Sequence, residues 1–343
     1  MLRNIVLGVV FLLFFCQTAP CASTITLQIR VDGQKVTLDW ASALPIQKYI
    51  LLYADFPSMY PLKAIPMGYN THVEAELPWG SDYFVAILGR DINGHWYLSN
   101  IKYFRIRQIW QPSVGVTWQW QLTGPIDTSI EADMYDVDLF DTPEEVIREL
   151  HAQGRVVICY FSAGTFETWR PDADAFPPEV IGLPLEDWPD ERWLDIRRLD
   201  VLAPIMERRL DLAVIKGCDG VEPDNVDGYT NNTGFPLTYE DQLRYNLWLA
   251  QEAHVRGLSI GLKNDLNQIP DLVDHFDWAL NEQCFSYDEC DALLPFIQAG
   301  KAVFGVEYEL DTDEFCPQAN EMGFSFMKKH WNLDAWREPC WEE

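Results

Sequence analysis

Three acidic residues carry the chemistry this chain most clearly offers. Glu222 and Asp224 stand two apart in Glu222-Pro223-Asp224-Asn225, and Glu282 stands in Asn281-Glu282-Gln283. Hydrolysis of a glycosidic bond needs two carboxyl groups flanking the scissile oxygen. One protonates the leaving group, and the other attacks the anomeric carbon or activates water. If 220–224 is a strand, alternation puts Glu222 and Asp224 on one face. Near apolar Trp278 and Phe285, Glu282 is expected to have a raised pKa and to act as the acid. Asp224, beside Lys263 and Asn264, is expected to stay ionised as nucleophile or base. Asp227 and Glu307 are candidate contacts for amines or hydroxyls. Whether such a reaction retains or inverts configuration depends on the carboxyl separation, with retention the expectation.

Other chemistries are poorly served. The chain has six His, none at H-x-H or H-E-x-x-H spacing, so no metal site is expected. It has no G-x-S-x-G elbow and no Gly-rich phosphate loop. No cofactor is expected.

The elements that must position these carboxylates follow from periodicity. Strand candidates are Gly115–Trp120, Val156–Tyr160, Trp193–Ile196, Gly220–Asp224, Ser259–Lys263, Trp278–Glu282, Ala302–Glu307 and Gly323–Met327. Helical segments lie between most of them. Thr142-Pro143-Glu144-Glu145 opens one, and Thr238-Tyr239-Glu240-Asp241 opens another that stops at Gly257. Eight such strands in about 230 residues predict a (β/α)8 TIM barrel over 110–343. Active sites of such barrels lie at the C-terminal strand ends. Here those ends are polar, aromatic or ionisable: Trp118 and Trp120, Tyr160, Glu222 and Asp224, Lys263, Asn264 and Asp265, Glu282, then Glu307 and Tyr308. Those not assigned to catalysis are the expected substrate contacts.

Residues 24–108 read differently. Short strands at 24–31, 35–40, 48–54, 72–77, 82–90 and 102–106 are separated by turn signals such as Asp32-Gly33. They predict a small all-β immunoglobulin-like sandwich. Val36-Thr37-Leu38-Asp39-Trp40, Tyr49–Tyr53 and Tyr83–Ile87 resemble a fibronectin type III domain, with Trp40 as core tryptophan and Tyr83 as corner tyrosine.

Ahead of this lies an export-signal pattern over residues 1–22: Arg3, the apolar run Ile5–Phe15, then small residues, with cleavage after Ala22. The mature chain is therefore expected to be secreted, to the periplasm or the medium, with no membrane association. Six cysteines would remain. Cys284–Cys290 and Cys316–Cys340 are plausible pairs, whereas Cys159, inside an apolar strand, is expected to be a buried free thiol. Net charge is −28, from 53 acids and 25 bases. Phosphate binding needs a basic patch, so nucleic acid is excluded as partner, while a cationic polymer would be attracted. A monomer is expected.

Several blocks together resemble glycoside hydrolase family 114. They are Trp118-Gln119-Trp120-Gln121-Leu122, Tyr135-Asp136-Val137-Asp138-Leu139-Phe140-Asp141, Cys159–Gly164, Cys218–Tyr229, Gly261–Asp265, Asn281–Cys284 and Phe304–Tyr308. They cover nearly all of 110–343 in order. The resemblance implies a (β/α)8 fold and endo-α-1,4-polygalactosaminidase activity on galactosamine-rich exopolysaccharide, a biofilm component. It implies Asp224 and Glu282 as the catalytic pair; Asp138, which stands in the second block, is a further expected substrate contact. The alternatives are a non-catalytic polysaccharide-binding barrel, and a glycosidase for another α-linked amino sugar or galactan.

Overall fold

The computed structural model describes residues 24–186 and 188–341. The expected export signal lies outside them. The chain divides into two compact units, 1–108 and 109–343. No described helix is long and apolar enough to cross a membrane.

The first unit contains β1 (Ile25–Asp32), β2 (Lys35–Ser42), β3 (Ile46–Asp55), β4 (Lys63–Gly68), β5 (His72–Glu76), β6 (Asp82–Asp91), β7 (Trp96–Leu98) and β8 (Lys102–Arg105). One antiparallel sheet has the order β1-β2-β5, the other β4-β3-β6-β7 with β8 on β6. β1 alternates, burying Ile25, Leu27 and Ile29 while the residues between face outward. The buried faces of the two sheets meet. Trp40 packs edge-on against Tyr49 at 5.9 Å, and a Cβ at Gly89 would come within 2.6 Å of Ile25 Cδ1. β4 is absent from the sequence expectation. It carries Pro66, alternates poorly and lies at a sheet edge, where a missing N–H is tolerated.

The second unit is built on β9 (Trp118–Gln121), β10 (Met134–Asp138), β11 (Val156–Ser162), β12 (Thr165–Glu167), β13 (Ile181–Pro184), β14 (Glu191–Leu194), β15 (Gly220–Asp224), β16 (Ser259–Lys263), β17 (Trp278–Glu282), β18 (Val303–Glu307), β19 (Ser325–Lys329) and β20 (Arg337–Pro339). Eight of them run parallel in the order β9-β10-β11-β15-β16-β17-β18-β19, with β20 antiparallel on β19. The sheet curls until its ends nearly meet. Trp118 of β9 donates its indole N–H to Ser325 O of β19 at 2.8 Å, and the Arg337 guanidinium donates to Trp118 O. Side chains from all around this sheet, among them Trp120, Ile158, Trp278, Leu280, Phe304 and Met327, share one buried interior. The helices between strands are α1 (Glu144–Ala152), α2 (Leu199–Lys216), α3 (Tyr239–Val255), α4 (Ile269–Leu272), α5 (Leu294–Gln298) and α6 (Thr312–Met322). Thr238 and Asp241 form a reciprocal capping box at the start of α3.

Two sequence expectations change. The segment around Trp193 is not a barrel strand: β14 pairs antiparallel with β12 and β13 in a separate small sheet. The second barrel strand is Met134–Asp138 instead. Its five residues are all buried, yet two are aspartates, so no apolar pattern announced it. Cys159 is not a free thiol. It bonds Cys218, which leads into neighbouring β15, with a Cα–Cα distance of 6.0 Å. Cys284–Cys290 and Cys316–Cys340 are also disulfides.

Candidate active site

The site is organised around one lysine. Alternation on β15 puts Glu222 and Asp224 on the inward face, and β16 and β17 end with Lys263 and Glu282 turned to the same place. Lys263 Nζ lies 3.1 Å from Glu222 Oε1, 3.0 Å from Asp224 Oδ1 and 3.2 Å from Glu282 Oε2. It also sits 4.8 Å from the centre of the Trp120 ring, which floors the site. The Lys263 side chain is only 2 % exposed. Burial opposes its charge, but Asp224, Glu282 and Glu222 outweigh that and hold its pKa well above the ordinary lysine value.

The three carboxylates differ in access. Glu222 is fully buried, whereas the Asp224 and Glu282 side chains keep 18 % and 27 % of their surface open. Glu222 accepts from the Trp120 indole at 3.2 Å and lies against fully buried Asp136 of β10. Burial raises the Glu222 pKa to about 7, against the pull of Lys263. Burial and the nearby Glu222 raise Asp136 well above the carboxylate range. Burial beside another carboxylate thus favours the neutral form of Asp136 beneath the site. Sequence reasoning did not single it out, because only the pairing of β10 beside β11 and β15 brings Asp136 against Glu222.

Asp224 and Glu282 are each fixed by hydrogen bonds. The Tyr160 hydroxyl donates to Asp224 Oδ2 at 3.0 Å, and the Asn225 amide donates to Oδ1 at 2.8 Å. The Tyr308 hydroxyl donates to Glu282 Oε1. Asn264 accepts the Glu282 amide at 3.0 Å and directs its own NH2 to Glu282 Oε2 at 3.4 Å. Burial raises both tyrosine pKa values well above normal, so both hydroxyls keep the proton they donate. Chain geometry marks the same positions. Asn225, Asn264, Asp265 and Gln283 all adopt left-handed backbone, with φ of 60°, 51°, 41° and 65°. Such conformations are uncommon outside glycine and cluster where function fixes the backbone.

The other expected contacts divide. Asp227 stands close to the cluster, and burial followed by the charge of Asp224 pushes its pKa up to about 6. Asp265 is buried and accepts from Asn246 at 2.8 Å; burial raises its pKa to about 9. Asp138 accepts the Phe140 and Asp141 amides and pairs with Arg170 at 2.8 Å, which covers it. Glu307 points behind the site, where it accepts the Phe285 amide at 2.9 Å and the Ser286 hydroxyl at 2.6 Å and so fixes the loop after β17. Trp118 is core, packed on Phe304 at 5.1 Å. The apolar neighbours expected to tune Glu282 are elsewhere: Trp278 fills the barrel interior and Phe285 packs on Phe326. Lys263, Asn264 and Tyr308 are the groups that touch it.

The arrangement provides two accessible carboxylates bridged by a buried ammonium, each oriented by a tyrosine. This is equipment for acid–base and nucleophilic work at one bond.

Comparison with known proteins converges on the same region. The family model described as glycoside-hydrolase family GH114 matches residues 102–343. The crystal structure of Ega3 from Aspergillus fumigatus in complex with galactosamine is similar over 68 % of this chain and 98 % of its own, with 44 % identity and a TM-score of 0.65. The glycoside hydrolase domain of PelA from Pseudomonas aeruginosa shares the fold at 14 % identity, over 66 % of this chain and 98 % of its own, with a TM-score of 0.52. No similar sequence was found among curated proteins.

Proposed function

Because this chain belongs to glycoside hydrolase family GH114, we propose that it cleaves internal α-1,4-galactosaminidic bonds of a galactosamine-rich exopolysaccharide, with Asp224 and Glu282 as its catalytic pair. The observation that carries this reading is their shared contact with Lys263 Nζ, at 3.0 and 3.2 Å. Two oxygens that touch one nitrogen at those distances lie within about 6 Å of each other. That fits the roughly 5–5.5 Å of retaining enzymes better than the wider spacing of inverting ones.

The reaction then runs in two steps. Glu282 gives its proton to the glycosidic oxygen as Asp224 attacks the anomeric carbon, and the leaving chain departs with that proton. Glu282 next takes a proton from water, which displaces Asp224 and restores both groups. Lys263 lies against the Asp224 carboxylate as its counter-charge, and Tyr160 and Tyr308 orient the two carboxyls. Glu222, backed by Asp136, anchors Lys263 from below. The galactosamine in the Ega3 complex supports an amino sugar as substrate, and the net charge of −28 suits a polymer of free amines.

The nearly closed sheet is read as a (β/α)8 TIM barrel over 110–343. Residues 24–108 are read as a fibronectin type III-like module and 1–22 as an export signal. The three disulfides suit an oxidising compartment outside the cytoplasm.

The test is mass spectrometry of oligosaccharides released from partly de-N-acetylated α-1,4-galactosaminan. Galactosamine oligomers are expected from the wild type and not from Glu282→Gln. Equal release by both proteins would remove Glu282 as the acid. No release by a folded wild type would favour another α-linked glycan or a binding protein.

A further inference from the structure

Trp331 is an exposed aromatic side chain held with unusual firmness. Its ring stacks on Tyr308, with centroids 4.0 Å apart and planes 16° from parallel. Tyr308 is buried, and its hydroxyl donates to Glu282. Trp331 itself is 51 % exposed. One face is therefore covered while the rest of the indole is open, one side chain away from a carboxylate of the proposed catalytic pair. Its N–H donates to Glu309 Oε1 at 2.8 Å, which fixes the ring's rotation and sets an exposed carboxylate at its edge.

The loop that carries Trp331 is pinned along its length. Lys329 Nζ donates to Asp334 O and Trp336 O, each at 2.7 Å. The Leu122 amide donates to Leu333 O at 3.0 Å, Thr123 Oγ1 to Asn332 O at 2.7 Å and Gln119 Nε2 to Ala335 O at 2.8 Å. An aromatic ring on such a loop presents a preorganised surface, and little freedom is lost when a ligand lies on it.

We infer that Trp331 and Glu309 form an amino-sugar subsite beside the catalytic pair. The indole takes the apolar C–H face of one sugar ring, and the Glu309 carboxylate pairs with that sugar's ammonium group. A stacked ring with a carboxylate at its edge selects a ring that is apolar on one face and cationic at its rim. The subsite would therefore favour free galactosamine over its N-acetylated form. This inference rests on the galactosaminidase reading above.

The test is steady-state kinetics on fully and partly de-N-acetylated α-1,4-galactosamine oligomers, using the full chain. For Trp331→Leu, KM is expected to rise about 10-fold with kcat changed less than about 3-fold, and Trp331→Phe should recover most of the loss. Glu309→Gln should lower the preference for free over N-acetylated sugar by about 5-fold or more. An unchanged KM in Trp331→Leu, with the wild type active, would overturn the subsite and leave the catalytic reading intact. A fall in kcat at unchanged KM would also overturn it, because Trp331 would then act only by supporting Tyr308. A wild type inactive on every galactosamine oligomer would overturn both readings together.

Discussion

Lys263 is the residue on which the site turns. Three carboxylates crowd one buried ammonium, and removing that charge leaves them facing one another. Lys263→Met is predicted to lower kcat by about 100- to 1000-fold, the range seen when one preorganised charge or donor is taken from a reacting centre. An unchanged kcat would show that the lysine is merely structural. Glu191 offers a separate test of buried acidity. It accepts from Thr165 at 2.8 Å, and burial raises its pKa to about 7. The folded chain therefore keeps a proton that the unfolded chain has released from about pH 4.5 upward. Stability from this group is full below about pH 4.5 and is lost as pH climbs through about 7. Relative to Glu191→Gln, the wild type should lose roughly 3 kcal/mol across that window in urea unfolding. Parallel curves for the two proteins would remove Glu191 as the source.

At the scale of elements, the strands act as rails that deliver one reactive group each. β15 delivers Asp224, β16 Lys263 and β17 Glu282, and left-handed residues directly after each turn the chain away. Behind them, the Cys159–Cys218 bond joins β11 to the approach of β15 across 59 residues. Replacing both cysteines with serine should lower stability by about 2–5 kcal/mol, seen as a reduced midpoint in thermal unfolding. Much of this layout was legible in the sequence, because apolar runs ending in Glu-Pro-Asp-Asn, Lys-Asn-Asp and Asn-Glu-Gln carry both strand and site. The strand Met134–Asp138 was not. It buries Asp136 and Asp138, whose burial depends on Glu222 and Arg170 far away in sequence. The Trp193 segment has strand-forming residues, but which sheet it joins is a tertiary matter. The Cys159 pairing stayed hidden because it needs β11 and β15 to be neighbours. Trp331 was invisible for the same reason: only folding stacks it on Tyr308.

For the whole molecule, charge sets how substrate is met. With 53 acids against 25 bases, the chain is strongly acidic. A polycationic substrate should be drawn in, and salt should screen that attraction. KM for a fully de-N-acetylated polymer is predicted to rise several-fold between about 0.05 and 0.5 M salt, whereas KM for an N-acetylated one should barely move. Equal salt responses would argue against electrostatic selection of free amines.

All of this converges on one stereochemical consequence. If Asp224 and Glu282, gathered by Lys263, act by double displacement on an α-galactosaminide, the new reducing end keeps its α configuration. Proton NMR of that reducing end in the first minutes of hydrolysis reads the outcome directly. The α anomer should appear first, and the β anomer should grow in only by mutarotation. First appearance of the β anomer would mean that water, and not Asp224, attacks the sugar, and the mechanism drawn from this geometry would be wrong.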